Sequence, residues 1–362
     1  MKSRSPTHRL LTFYKFIDIP LNQCPQLVEE HRSFCSDIGL KGRIYIGTEW
    51  ISATITGNPW QCCAYQLRLQ STVYFQDIAD IEAKSMAVHG HQFLALRIKH
   101  RNEIVTMGQT VTAAQVHRSH HTISVSALKE IIDQSDPNYL LLDMRNNYEH
   151  KLGHFQWSLP SGTTNFREVH EQIARYKKEF GDKKIVMFCT GGIRCDKLSV
   201  LLHEQWLDNV YGLDGGVVKY INTYNDGNRL WNLYTFDERV STPVGDTQTH
   251  TTIGTCIYTD ALTDHITNCR YSPCNARIIC KPNEYRKHGG FCSRACIEKA
   301  CGDARIREVR FDPFDYQSLR DRIKSDSSQY STITQTLHTH LAKYLRMNYR
   351  HRISQKEDEI DE

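Results

Sequence analysis

The stretch that most constrains this chain is residues 184–204, in which an apolar run, KIVMF, passes through CTGGIRC into DKLSVLLHE. The run reads as a short strand buried on both faces, and the segment beyond the second cysteine reads as a helix. The flanks repeat this order. SALKEIIDQ, with helical spacing, leads to the strand-like YLLLDMR, and FREVHEQIARYKKEF leads to KKIVMF. NVYGL then supplies a further short strand, followed by the turn Asp214-Gly215-Gly216 and a last helix through VVKYI. Strands alternating with helices predict a parallel sheet covered on both faces. In such sheets the reactive loops lie at the carboxyl ends of the strands, and Cys189 stands at one of those ends. Asn165 and Glu168 have the spacing of a capping box for the helix between the two strongest strands.

The loop has chemistry of its own. Gly191 and Gly192 let the backbone bend and turn its N–H groups inward, and the following helix adds the positive end of its dipole. An anion is stabilised at the centre of such a loop, and the thiolate of Cys189 is the natural one. Arg194 adds a permanent charge that can hold the thiolate or an incoming anionic group. The other reading is a glycine-rich turn with incidental cysteines. Strand before, helix after and arginine within favour the nucleophile, seated on Thr190, Gly191, Gly192, Ile193 and Arg194. Four residues separate Cys189 from Arg194. Phosphatase and arsenate-reductase loops use one more, so the shorter loop suits sulfur carried on the cysteine and disfavours phosphate. Cys195 is either a resolving thiol or a small buried residue in the first helical turn.

The N-terminal part has a different order. RLLTFYKFIDI reads as a strand, and Pro25 opens a helix that Gly39 stops. GRIYIG and ISATITG read as paired strands, WQCCAYQLRLQ as a second helix, and FLALRIKHRNEIVTMG as further strand. The resulting β-α-β-β-α-β order predicts a ferredoxin-like α+β sandwich over roughly residues 8–108. TVTAAQVHRSHHTI then reads as a connection. At 362 residues the chain is long enough for two or three domains. No run of about eighteen apolar residues crosses a membrane, and Lys15 and Asp18 interrupt the N-terminal apolar stretch, which argues against a secretory signal. Thirteen cysteines, an odd number, fit reduced thiols and a cytoplasmic location. A net charge of +4 permits a polyanionic partner without requiring one.

Seven cysteines crowd into the stretch 256–301: Cys256, Cys269, Cys274, Cys280, Cys292, Cys296 and Cys301. Cys269/Cys274 and Cys292/Cys296 have usable metal-ligand spacing, with His265 and His288 nearby, yet no close CxxC is present. Two readings stand: reduced thiols packing a small irregular segment, and one structural zinc. No glycine fingerprint marks a flavin or nicotinamide site.

LLLDMRNNYEHKLGHF, CTGGIRC and NVYGLDGGVVKY together resemble a rhodanese domain over residues 124–225. That resemblance implies that Asp143, Arg145, Gly153 and His154 brace the loop as a salt-bridge network. It makes Glu149 a partner for Arg145, and His154 a structural histidine rather than a base. FYKFIDIP, GLKGRIYIGTEWISATITG, NFRE, FCTGGIRCDK and FDERVS accompany these pieces in order. The whole set, over about residues 8–300, resembles the tRNA uridine hydroxylase family, in which an acylphosphatase-like domain precedes the rhodanese domain. The resemblance implies an oxidoreductase that uses molecular oxygen to hydroxylate carbon 5 of the wobble uridine of tRNA, with Cys189 as its catalytic cysteine. The family's CxxC at the start of the Cys-rich segment is absent here, since Thr259 stands three residues after Cys256, and Trp50-Ile51-Ser52 replaces the family's Gly-Ile-Asn.

For a tRNA partner, cations interleaved with aromatics occur in RLWNLYTFDER, in RDRIK, and in KYLRMNYRHR with Lys343, Tyr344, Arg346, Tyr349, Arg350 and Arg352. The expected division is an acylphosphatase-like domain at 1–120, a rhodanese domain at 121–228, a linker and Cys-rich segment at 229–302, and a helical tail at 303–362. The alternatives to hydroxylation are a sulfurtransferase or persulfide carrier, and a binding module on an inactive rhodanese scaffold.

Overall fold

A computed structural model of the chain describes residues 6–76, 85–180, 182–205, 207–224, 232–235, 241–243, 252–303 and 305–307. The chain divides into two compact units, Met1–His250 and Thr251–Glu362. The first unit contains two five-stranded sheets.

The N-terminal sheet is built from β1 (His8–Phe16), α1 (Cys24–Asp37), β2 (Lys41–Gly47), β3 (Trp50–Gly57), α2 (Pro59–Gln70), β4 (Ser85–Val88) and β5 (Leu96–His100). Its strand order is β4-β1-β3-β2-β5, antiparallel except for the β2–β5 pair. Pro25 opens α1, and Asn58 caps α2 in a reciprocal box with Gln61. The strand that completes the sandwich beside β1 is Ser85–Val88, not the FLALRIKH run, which supplies the extra edge strand β5. Four residues with a single buried side chain carry too little alternation to announce β4.

Side chains alternate across β1. Leu11 and Phe13 enter the core shared with both helices. Tyr14 and Phe16 project from the opposite face, where Phe16 packs against Val111, Val116 and Val200.

The second sheet comprises α3 (Ala113–Ser119), β6 (Thr122–Ile123), α4 (Val125–Gln134), β7 (Tyr139–Asp143), α5 (Asn147–Leu152), β8 (Leu159–Pro160), α6 (Val169–Phe180), β9 (Lys184–Phe188), α7 (Ile193–Glu204), β10 (Val210–Leu213) and α8 (Gly216–Thr223). All pairs are parallel, in the order β6-β10-β9-β7-β8. Ile185, Met187 and Cys189 join the core under α6 and α7, while Val186 and Phe188 join the one under α4 and α8. This two-sided burial is why β9 reads as an unbroken apolar run.

Two local readings change. The segment read as a connection contains the helix α3, started by a reciprocal Thr112–Gln115 cap. Asn165 accepts from the Arg167 N–H, while Glu168 reaches back to the Thr164 N–H at 2.8 Å, so the two do not form one reciprocal box. A 3-10 turn at Phe166–Glu168 intervenes before α6 and shifts the spacing. A two-stranded pair, β11 (Asn232–Tyr234) and β12 (Ser241–Pro243), follows α8.

The second unit contains the hairpin β13 (Ile266–Asn268) and β14 (Arg277–Ile279), then α9 (Pro282–Lys287) and α10 (Arg294–Asp303).

Candidate active site

Cys189 leaves β9 at its carboxyl end, and the helix begins earlier than its apolar pattern suggests. Ile193, Arg194 and Cys195 already form the first turn of α7, capped by Gly192 at φ +103°. A side chain at Gly192 would be strained by that angle, and its Cβ would meet the Tyr14 hydroxyl at 2.6 Å. The Gly192 N–H donates to Cys189 Sγ at 3.1 Å.

The outer side of the loop is held by α8. The N–H groups of Val217 and Val218 donate to the carbonyls of Cys189 and Thr190 at 2.9 and 3.0 Å. Gly216, at φ +65°, makes this approach possible, because a Cβ there would lie 2.6 Å from the Cys189 carbonyl oxygen. With the carbonyls engaged outward, the loop N–H groups face the sulfur.

Burial opposes ionisation of Cys189, but the Cys195 thiol, the Arg194 charge and the backbone N–H groups of Arg194 and Cys195 outweigh it. They bring the thiol down to about 6. Burial and its hydrogen bond to Cys189 push Cys195 well up, so Cys195 remains the protonated donor of the pair. Both sulfurs are buried free thiols.

Arg194 does not present its guanidinium to the loop centre as an open anion clamp. It makes a bidentate pair with Glu149 of α5, at 2.8 and 3.0 Å, and the Glu149 carboxylate is fully buried. Thr190 also donates to Glu149, at 3.4 Å. Glu149 thus gives these hydrogen bonds to Arg194 and acts on the expected partner, Arg145, through its charge. Arg145 pairs instead with Asp143 through Nε at 2.9 Å and Nη2 at 2.6 Å, and also donates to the Gly153 carbonyl. His150 Nδ1 donates to Asp143 at 3.0 Å, and its ring stacks on that of His154 at 3.9 Å. Although burial opposes it, Arg145 and His150 lower the Asp143 carboxyl to about 2. His154 is depressed by burial and by His150, and its Nδ1 donates to the His150 carbonyl, a structural arrangement.

A second group bears on the loop from the N-terminal sheet. Tyr14 donates to Asp196 Oδ2 at 2.7 Å, and His120 Nδ1 donates to Asp196 Oδ1 at 3.0 Å. Burial, then the Asp196 carboxylate, raises the Tyr14 hydroxyl. Burial alone would depress His120, yet Asp196 holds it above the ordinary histidine range. One residue on, fully buried Lys197 donates to Glu49 and Glu103, each at 2.9 Å, and to the Val105 carbonyl. Glu49 in turn accepts the N–H groups of Ile104 and Val111. Sequence reasoning missed Tyr14, Asp196, Lys197 and His120 as parts of the site. The available signal was the charged pair Asp196-Lys197 directly ahead of the mostly apolar run LSVLL. Trp50, the departure noted in the sequence, is buried.

In the second unit, Cys269, Cys274, Cys292 and Cys296 form a group that could hold a metal ion. The cationic stretches proposed for RNA, RDRIK and KYLRMNYRHR, lie outside the described residues, as do most of RLWNLYTFDER and the Cys301 side chain.

Family models match three parts of the chain: a UPF0176 acylphosphatase like domain over residues 8–104, a Rhodanese-like domain over 124–223 and a Rhodanase C-terminal domain over 232–297. A protein of Bacillus licheniformis named tRNA uridine(34) hydroxylase is 34% identical over 80% of this chain and 88% of its own length. One of the same name from Staphylococcus carnosus is 31% identical over 80% and 90%. Among solved structures, a rhodanese-related protein from Thermoplasma volcanium is 25% identical over 29% of this chain and 93% of its own, with a TM-score of 0.24.

Proposed function

The chain belongs to the tRNA uridine(34) hydroxylase family, and on that premise we propose that it hydroxylates the wobble uridine of tRNA at carbon 5 with Cys189 as the reactive sulfur. Molecular oxygen is the co-substrate and tRNA the macromolecular partner. Among the described residues no helix is long and apolar enough to cross a membrane. A cytoplasmic location is consistent with a tRNA substrate and with cysteines that stay reduced.

The observation that carries this reading is the state of Cys189. A thiol brought to about 6 is mostly thiolate at neutral pH, and it is held by backbone N–H groups of a rigid loop. Thr190, Gly191, Gly192, Ile193 and Arg194 serve it by geometry. The glycines allow the bend, Ile193 and Arg194 open the helix, and the Arg194–Glu149 pair locks the first turn against α5. Arg194 is in this view a positioning residue whose charge also favours the thiolate.

The test is complementation. The host is a bacterium whose tRNA digests, read by mass spectrometry, have lost 5-hydroxyuridine derivatives through deletion of its own tRNA uridine(34) hydroxylase and any parallel route to them. Expression of this chain should restore them, and Cys189→Ser should not, at equal soluble protein. No restoration by the unmodified chain, together with sulfur transfer from thiosulfate to Cys189, would replace hydroxylation with the sulfurtransferase reading. Restoration by Cys189→Ser would remove Cys189 from the chemistry.

A further inference from the structure

The hydroxylation site leaves the second unit without a role for its cysteines. Among its described residues the two strands are three residues each, and cysteines make up a large minority of the apolar cluster beside aromatic and aliphatic side chains. Small segments of this kind usually need a staple beyond their core.

Four of the thiols come from two places. Cys269 follows β13 directly, and Cys274 lies in the turn before β14. Cys292 lies just ahead of α10 and Cys296 in its first turn, where Ser293 caps the helix by accepting the Cys296 N–H at 3.3 Å. Their four sulfurs all lie within 4.8 Å of one another. Cys292 Sγ is 3.7 Å from Cys274 Sγ and 3.5 Å from Cys296 Sγ. Zinc–sulfur bonds of about 2.3 Å in a tetrahedron place the sulfurs about 3.8 Å apart, within about 0.3 Å of both separations. The Cys292 N–H donates to Cys269 Sγ at 3.4 Å, the kind of contact that supports a ligating thiolate.

The donor set selects its ligand. Four residues separate Cys269 from Cys274 and three separate Cys292 from Cys296, both within the spacing of structural zinc sites. No carboxylate or imidazole belongs to the group. The two histidines close in sequence are engaged elsewhere, His265 with the Cys280 carbonyl and His288 with Glu284. Cys256 and Cys280 also fall outside it. A complete set of four soft sulfurs leaves no open position, which suits a structural ion rather than a catalytic one.

We propose that Cys269, Cys274, Cys292 and Cys296 bind one structural Zn²⁺ that ties the β13–β14 hairpin to the start of α10. The missing CxxC at Cys256 does not matter to this site, because the ligands pair across the unit rather than within a single short motif.

The full-length chain, purified without a metal-chelating tag, is assayed by elemental mass spectrometry. About one zinc per chain is expected. A chain that is folded by circular dichroism but carries no metal overturns the proposal, and so does stoichiometric iron in place of zinc. Cys274→Ser should lose the ion, while Cys280→Ala, a buried cysteine outside the group, should keep it. Should Cys274→Ser fail to fold, Co²⁺ exchanged into the unmodified chain decides the ligands. Intense thiolate-to-cobalt bands of a four-sulfur tetrahedron are expected, and a spectrum without them refutes the set. None of these readouts uses hydroxylation, so they stand or fall apart from the role of Cys189.

Discussion

Replacing Cys195 by alanine removes one of the groups that hold the Cys189 thiolate while leaving the loop backbone, Arg194 and the α8 contacts in place. A hydrogen bond to a charged group contributes about 1.5–3 kcal/mol. At about 1.36 kcal/mol per pKa step, its loss should move Cys189 from about 6 to about 7–8. Cys195→Ser keeps a donor at the same place and should stay near the unmodified value. The sign follows from the direction of the shift: Cys189 is the thiolate above about 6 and loses reactivity as pH falls through that value. At pH 7 the native thiol is mostly ionised, whereas an ordinary cysteine is only a few per cent thiolate. The assay is the pH dependence of iodoacetamide labelling of Cys189. Trypsin releases residues 185–194 as a peptide in which Cys189 is the one cysteine, so its labelling is read separately from the other thiols. The midpoint is the readout because burial slows the absolute rate at every pH. A midpoint near 8.5 in the unmodified chain would refute the stabilised thiolate. An unmoved midpoint in Cys195→Ala would refute the assignment of Cys195 as donor.

Glu149→Gln retains the size of the side chain but leaves the Arg194 charge without its anion in a buried place. It should cost about 3–5 kcal/mol in urea denaturation, and a loss below about 0.5 kcal/mol would show that the pair is not the brace of the first turn. Asp196→Asn should lower the pKa of His120 in an NMR titration, since burial then acts without the opposing carboxylate. Because Asp196 raises the folded pKa of His120, the stabilisation from that ion pair is complete below about 6.5 and is lost as pH rises through the folded value. The stability gap between the native chain and Asp196→Asn should therefore narrow on going from about pH 6 to about pH 9; a constant gap would mean that His120 adds nothing.

Much of this was legible in one dimension because the signals are local. The turn glycines, the apolar run of β9 and the helix after the loop are neighbours in the chain, and together they place a stabilised thiolate at Cys189. The alternating strands and helices were readable for the same reason. The short strand β4 was not, since four residues with one buried side chain carry almost no period.

What the amino-acid order determined by itself was the loop, with Cys189 at its start, and the parallel sheet that presents it. Tertiary structure alone decided which charges meet. Arg194 finds Glu149 across 45 residues, and Tyr14 finds Asp196 across 182. Of the described cysteines in the second unit, it also selected four to converge. Such pairings are set when separate elements pack and buried charges must be matched, so no spacing within a single segment encodes them.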